Sequence, residues 1–121
     1  MKQANPSLTE EDDGKTVETH VGDALDLNLH ENATTGYRWA FDGLDAKMID
    51  AQEVGHVVPS GAVGSAGVTR WTLKAIAPGT SGVRLKLWRH WEGDSSIQKR
   101  FEVILVIHDA AMTDKAKSRR I

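Results

Sequence analysis

The chain has 121 residues, with 15 Lys and Arg against 17 Asp and Glu and no cysteine, a length that suits one domain. Without cysteine there is no disulfide framework, thiolate metal site or cysteine nucleophile. The net charge of −2 argues against a nucleic-acid partner, and no apolar run approaches the ~20 residues of a membrane span. We therefore expect neither a nucleic-acid nor a membrane partner. We also expect a monomer.

The two ends of the chain are polar. Residues 1–14, which include the acidic run EEDD at 10–13, predict a disordered leader. Residues 110–121 predict a polar C-terminal tail, which leaves residues 15–109 for the folded domain. The first residues carry no signal peptide. We expect that an export signal has been removed and that the protein is periplasmic or secreted.

Between these ends, apolar and polar residues alternate along five segments, which is the period of a half-buried β-strand. The expected core-facing residues are Leu25, Leu27, Leu29, Tyr37, Trp39, Phe41, Thr69, Trp71, Leu73, Ala75, Val83, Leu85, Leu87, Phe101, Val103, Leu105 and Ile107. Residues 101–108 are apolar on both faces, which predicts a central, covered strand. About seven strands at this spacing predict an all-β fold, an immunoglobulin-like β-sandwich.

The residue types that usually carry catalysis form no recognisable pattern. The five histidines lack zinc-type spacing, and no serine lies in a nucleophile-elbow context. The glycine-rich stretch at 61–67 lacks the Lys-Ser/Thr ending of a phosphate-binding loop. The sequence therefore predicts no catalytic residue, no metal and no cofactor.

Three segments between the strands are more informative. NATTGY at 32–37 is small and polar, and it is longer than a tight hairpin needs. GAVGSAGV at 61–68 is rich in small residues, and Arg-His-Trp at 89–91 follows the end of a strand. Tryptophan and arginine are the residues most enriched in binding hot spots. These segments predict a binding surface built from loops.

The tryptophans divide into two groups by their place in the pattern. Trp39 and Trp71 share the parity of other apolar residues, so we expect both in the core. Trp91 lies at a strand end beside a turn, where a core tryptophan is less expected. For Arg89, a surface salt bridge competes with a role in binding.

The three segments, in this order, resemble the chagasin family of cysteine-peptidase inhibitors. That family carries N-P-T-T-G-Y, G-x-G-G and R-P-W loops on an immunoglobulin-like β-sandwich. We name the matching segments the first loop (residues 32–37), the second loop (64–67) and the third loop (89–91). The resemblance covers about residues 16–108.

Each loop departs from the family at one position. Ala33 and His90 stand where the family has proline, and Ala66 stands where it has glycine. Each lost proline loosens the free loop and costs about 0.4–1 kcal/mol. These departures bear on affinity and on the choice of peptidase.

The resemblance implies a reversible inhibitor of papain-like, cathepsin L-like cysteine peptidases and not an enzyme. The first loop would enter the active-site cleft as a wedge, and the second and third loops would grip either side. The peptidase-binding residues implied are Asn32, Thr34, Thr35, Gly36, Tyr37, Gly64, Ser65, Ala66, Gly67, Arg89, His90 and Trp91. Family members in bacteria are typically exported.

The same resemblance gives the residues of the first loop separate tasks. The hydroxyls of Thr34 and Thr35 would donate and accept hydrogen bonds inside the cleft. Asn32 would hold the loop as an Asx-turn does, and Gly36 would allow a close backbone approach. Tyr37 would anchor the end of the loop in the sandwich.

Two other interpretations compete with the inhibitor. One is an immunoglobulin-like adhesion or carbohydrate-binding module in which Trp88 or Trp91 stacks on sugar. The other is an enzyme whose site forms only in three dimensions. The inhibitor interpretation requires the three loops to lie side by side at one end of the sandwich.

Overall fold

The computed structural model describes residues 5–57 and 67–109. This part of the chain forms eight strands: β1 (Ser7–Leu8), β2 (Thr16–His20), β3 (Ala24–Glu31), β4 (Arg38–Gly43), β5 (Ile49–Val57), β6 (Gly67–Ala75), β7 (Gly79–Trp88) and β8 (Lys99–His108). Short 3-10 helices lie at Glu10–Asp12, Ala33–Thr35, His90–Glu92 and Asp94–Ser96. No helix within these two ranges is long and apolar enough to cross a membrane.

The strands form two four-stranded sheets with the orders β1-β3-β6-β5 and β2-β8-β7-β4. We call them the first and the second sheet. The pairs β1–β3 and β2–β8 are parallel, and the other pairs are antiparallel. The expected all-β, immunoglobulin-like sandwich is confirmed, with eight strands in place of about seven.

Alternating side chains of the two sheets meet in one apolar core, as the period of two predicts. Of the predicted core positions, Tyr37 and Phe41 are only partly buried, and the others are buried. Trp39 and Trp71 are 8% and 4% exposed, so both belong to the core as expected. Strand β8 lies between β2 and β7, which agrees with its two apolar faces.

The prediction of a disordered leader is wrong for residues 5–14. Leu8 is 5% exposed, because β1 runs parallel to β3 and adds this side chain to the core. The acidic run is also used. The side chains of Thr9 and Asp12 cap the first 3-10 helix reciprocally, and the carboxylate of Glu10 accepts the backbone N–H of His30. Residues 1–4 and the tail predicted at 110–121 lie outside the described ranges.

Candidate functional site

Strand pairing brings the first loop, the third loop and Gly67, the last residue of the second loop, to one end of the sandwich. The first loop joins β3 to β4 and therefore crosses from the first sheet to the second. The third loop begins the connection from β7 to β8, and Arg38 at the start of β4 lies opposite Trp88 at the end of β7. Gly67, which begins β6, pairs with Glu31 at the end of β3.

Of the second loop, only Gly67 lies within the described residues; Gly64, Ser65 and Ala66 lie outside them. A Cβ atom at Gly67 would lie 2.5 Å from Nε2 of His56 and from the carbonyl oxygen of Val57. No Cβ atom fits that close to a backbone oxygen, so β6 requires glycine where it leaves this loop.

The first loop is folded on itself by hydrogen bonds. Asn32 Oδ1 accepts from the backbone N–H of Thr34 at 3.1 Å and from its hydroxyl at 2.7 Å. The carbonyl oxygen of Asn32 accepts from the backbone N–H of Thr35 at 3.2 Å and from its hydroxyl at 2.8 Å. The Asx-type turn expected at Asn32 is therefore present, and it forms the 3-10 helix at Ala33–Thr35.

The threonine hydroxyls differ from the expectation in one respect. Both direct their protons to Asn32, and Thr35 Oγ1 also accepts from the backbone N–H of Tyr37 at 3.3 Å. Both side chains remain exposed. A hydroxyl whose proton is already donated offers only its oxygen lone pairs to a partner. The loop therefore presents two exposed acceptors held in a fixed arrangement.

Gly36 has two reasons to be glycine. Its φ is +84°, in the left-handed region that favours glycine. A Cβ atom at this position would also lie 2.9 Å from Cη2 of Trp91, a distance that real Cβ atoms do not adopt. The backbone of the first loop thus lies directly against the indole of the third loop.

Arg89 joins the same two loops by polar contacts. Its Nε and Nη2 donate to the carbonyl oxygen of Thr35 at 3.2 and 3.0 Å. Its guanidinium carbon lies 4.4 Å from the centroid of the Tyr37 ring, within cation–π range. The salt bridge considered for this residue is also present, with Nη1 of Arg89 3.3 Å from Glu92. The first and third loops therefore form one continuous surface.

Trp91 is the most prominent apolar group of this surface. It is 61% exposed, although one side of its ring meets Gly36. The His90 ring packs edge-on against it, with centroids 5.1 Å apart and an interplanar angle of 86°. The structure therefore places a large, rigid and mostly exposed indole ring at the tip of the sandwich. Such a ring offers a partner a large apolar contact area.

Trp88 lies differently. The Nζ atom of Lys86 lies 3.5 Å from the centroid of its ring, and Lys86 is further held by ion pairs with Asp42 and Asp94. A sugar would have to displace this ammonium group before it could stack on that face.

Glu31 belongs to the site although sequence reasoning missed it. Its side chain is 1% exposed, and its two oxygens accept from Nε of Arg38 at 2.7 Å and from the backbone N–H of Trp39 at 2.9 Å. The pattern contained a signal. Glu31 continues the core-facing parity of β3, where a charged residue is unusual unless it is paired.

Comparison with known proteins agrees with this geometry. Residues 18–105 match the chagasin family of peptidase inhibitors, I42. Chagasin from Trypanosoma cruzi is 29% identical over 103 residues, which cover 81% of this chain and 94% of that protein. Amoebiasin-2 from Entamoeba histolytica is 32% identical over 91 residues, which cover 70% and 71%.

The fold is similar to that of a solved inhibitor. The crystal structure of the cysteine protease inhibitor EhICP2 from Entamoeba histolytica superposes with a TM-score of 0.72 at 25% identity, covering 85% of this chain and 95% of that one. The chain therefore belongs to the chagasin family of peptidase inhibitors. The resemblance inferred from the three loops is confirmed, and the family is one of inhibitors and not of enzymes.

Proposed function

We propose that the protein is a reversible inhibitor of papain-like cysteine peptidases. The first loop enters the active-site cleft as a wedge, and the second and third loops contact the walls on either side. The twelve residues named for these loops in the sequence form the binding surface. The pairing of Arg89 with Thr35 carries this proposal, because it fixes the wedge against the third loop before any peptidase is bound.

A preformed surface suits this task. Association requires loops and side chains to be ordered, and a surface that is already ordered avoids most of that free-energy loss. The first loop is held by its own hydrogen bonds and by Arg89. Gly36 brings the backbone of the first loop against Trp91, so the first loop and the indole of the third loop bind the peptidase as one rigid unit.

Inhibition without cleavage follows from the shape of the first loop. A peptidase cleaves a peptide bond that is bound in an extended conformation, with the nucleophile close to the face of its carbonyl carbon. The backbone at Ala33–Thr35 is coiled into a 3-10 helix and does not present such a bond. The loop can occupy the catalytic centre and remain intact.

The same proposal places the protein in the periplasm or outside the cell, as the resemblance to exported family members implies. Fractionation of cells that express the natural gene tests this location. Recovery of the protein with the cytoplasmic fraction alone would contradict it.

Titration of papain with the protein, followed with a fluorogenic peptide substrate, tests the inhibition. We expect stoichiometric inhibition that is reversed on dilution and leaves the protein uncut. Thr34→Phe widens the wedge at an exposed position and should weaken inhibition strongly. Trp91→Ala should weaken it with little change in stability, because the ring is mostly exposed.

Thr80→Phe is the matched control, since Thr80 is also an exposed threonine but lies at the start of β7, at the opposite end of the sandwich. It should inhibit as the unaltered protein does. Absence of inhibition by the folded, unaltered protein at micromolar concentration, against papain and a cathepsin L-like peptidase, would overturn the proposal.

A further inference from the structure

The base of the first loop contains a buried charge that the family motif does not include. Glu31 directly precedes the loop, and its side chain is 1% exposed. A buried carboxylate is unfavourable unless hydrogen bonds and an opposite charge compensate it. Its position between the two sheets therefore calls for a specific role.

The partners of Glu31 are the two residues that follow the loop. Oε1 accepts the backbone N–H of Trp39, and Oε2 accepts Nε of Arg38. Glu31 lies on β3 of the first sheet, whereas both partners lie on β4 of the second. The two ends of the first loop are thus tied by one side chain across the sandwich.

The bond to Trp39 satisfies a donor that the second sheet leaves open. Strand β4 is the last strand of its sheet and pairs only with β7. On its outer side, an edge strand has backbone N–H and C=O groups that form no hydrogen bonds to a neighbouring strand. A second bond joins the same strands nearby, from Nε1 of Trp39 to the carbonyl oxygen of His30 at 2.9 Å.

We infer that Glu31 is a positioning residue of the inhibitory surface, which sets the angle at which the first loop leaves the sandwich. This inference rests on the proposed function. Arg89 fixes the tip of the loop, and Glu31 fixes its base. With both in place, the wedge is held at each end before it meets a peptidase.

Three substitutions separate the two bonds of Glu31. Glu31→Ala removes both and leaves a buried N–H without an acceptor. Glu31→Gln keeps an acceptor for Trp39 but gives up the charge that faces Arg38. Arg38→Ala removes only the ion pair, whose arginine side chain is 55% exposed.

The inhibition constant and amide hydrogen exchange of residues 32–39 are measured for each variant, well below its melting temperature. We expect Glu31→Ala to weaken inhibition about tenfold or more and to speed exchange at Trp39, as the loss of a hydrogen bond to a charged acceptor implies. Glu31→Gln should restore inhibition to within about threefold, because it keeps an acceptor for Trp39. Arg38→Ala should lower stability, because it leaves the buried carboxylate without its opposite charge, but it should keep inhibition in the same range because the bond to Trp39 remains.

Thr19→Val serves as the structural control. Thr19 is 5% exposed, and its hydroxyl lies 3.3 Å from Asp23 at the far end of the sandwich. It should lower stability without changing the inhibition constant. Inhibition that falls in proportion to lost stability in both Thr19→Val and Glu31→Ala would overturn the positioning role, as would unchanged inhibition and exchange in Glu31→Ala.

Failure of the proposed function is recognised separately. It shows as absence of inhibition by the unaltered protein. The exchange at Trp39 still reports whether Glu31 holds the loop, so unchanged exchange in Glu31→Ala contradicts the inference even then.

Discussion

The guanidinium group of Arg89 donates two hydrogen bonds to the carbonyl oxygen of Thr35, a residue 54 positions earlier in the chain. One residue is at the tip of the loop between β3 and β4, and the other follows β7. This pairing makes the first and third loops one surface. The geometry of each loop therefore depends on the other, and a substitution in one loop should change the conformation of both.

Arg89→Ala should weaken inhibition about tenfold, or ~1.4 kcal/mol, at the low end for hydrogen bonds to a charged group because Arg89 is partly exposed. The inhibition constant of Arg89→Lys should lie between those of the unaltered protein and Arg89→Ala. One ammonium group cannot reproduce the planar guanidinium group that stacks on Tyr37. Arg84→Ala is the control, because that arginine forms a half-exposed ion pair with Glu102 on the sheet face. Equal inhibition constants for Arg89→Ala and Arg84→Ala would refute the coupling of the loops.

Gly36→Ala and Gly14→Ala form a matched pair. Their φ angles are +84° and +86°, so an alanine at either position should lower the free energy of unfolding by about 1–2 kcal/mol. A Cβ atom at Gly14 meets nothing within 4 Å, whereas one at Gly36 collides with Trp91. Only Gly36→Ala should also weaken inhibition. Urea denaturation and peptidase titration measure the two effects, and equal inhibition by both variants would disprove the contact's importance.

Proline is compatible with the backbone at position 90. Arg89 has φ −102° and ψ 110°, an extended conformation that suits a residue before proline, and His90 opens a 3-10 helix. His90→Pro should inhibit about 2–5-fold more tightly than His90→Ala, the effect of ~0.4–1 kcal/mol of lost loop freedom. Both variants remove the ring contact with Trp91, so that loss cancels in the comparison. A weaker His90→Pro inhibitor would show that the third loop must change shape on binding.

Glu10 should make stability depend on pH. Burial raises the pKa of its carboxyl group, but the hydrogen bond from the backbone N–H of His30 and the other hydrogen bonds together lower it by more. The pKa in the folded protein therefore lies below the ordinary value. The ionised form therefore stabilises the fold above the ordinary pKa, and this contribution is lost as the pH falls through the lowered value. Glu10→Gln should be less stable than the unaltered protein near neutral pH and equal to it in acid.

Thermal unfolding over a pH series measures this difference. Glu11→Gln is the control, because Glu11 is an exposed neighbour on the same 3-10 helix. It should follow the unaltered protein at every pH. A Glu10→Gln deficit that persists in acid would show that shape, and not charge, holds residues 5–14 against β3.

The sequence by itself determined which side chains face the core. Alternation is a local property of an extended chain, so Leu25, Leu27 and Leu29 could be assigned to one face without knowledge of their partners. The three loop motifs and their order indicated the family for a similar reason. Each motif is a short run of neighbouring residues, so it can be recognised in the sequence without knowledge of the three-dimensional structure. The internal turn at Asn32 is also local, since its partners lie within three residues.

Only the tertiary structure decided how distant segments meet. Three sets of contacts join segments from different strands and loops: the hydrogen bonds of Arg89 to Thr35, the contact of Trp91 with Gly36, and the hydrogen bonds of Glu31 to β4 across the sandwich. The leader was misjudged for the same reason, because Leu8 and Glu10 gain their partners only when β1 lies beside β3. Sequence periodicity reports which face of a strand is apolar, but it does not contain the pairing that closes one sheet over the other.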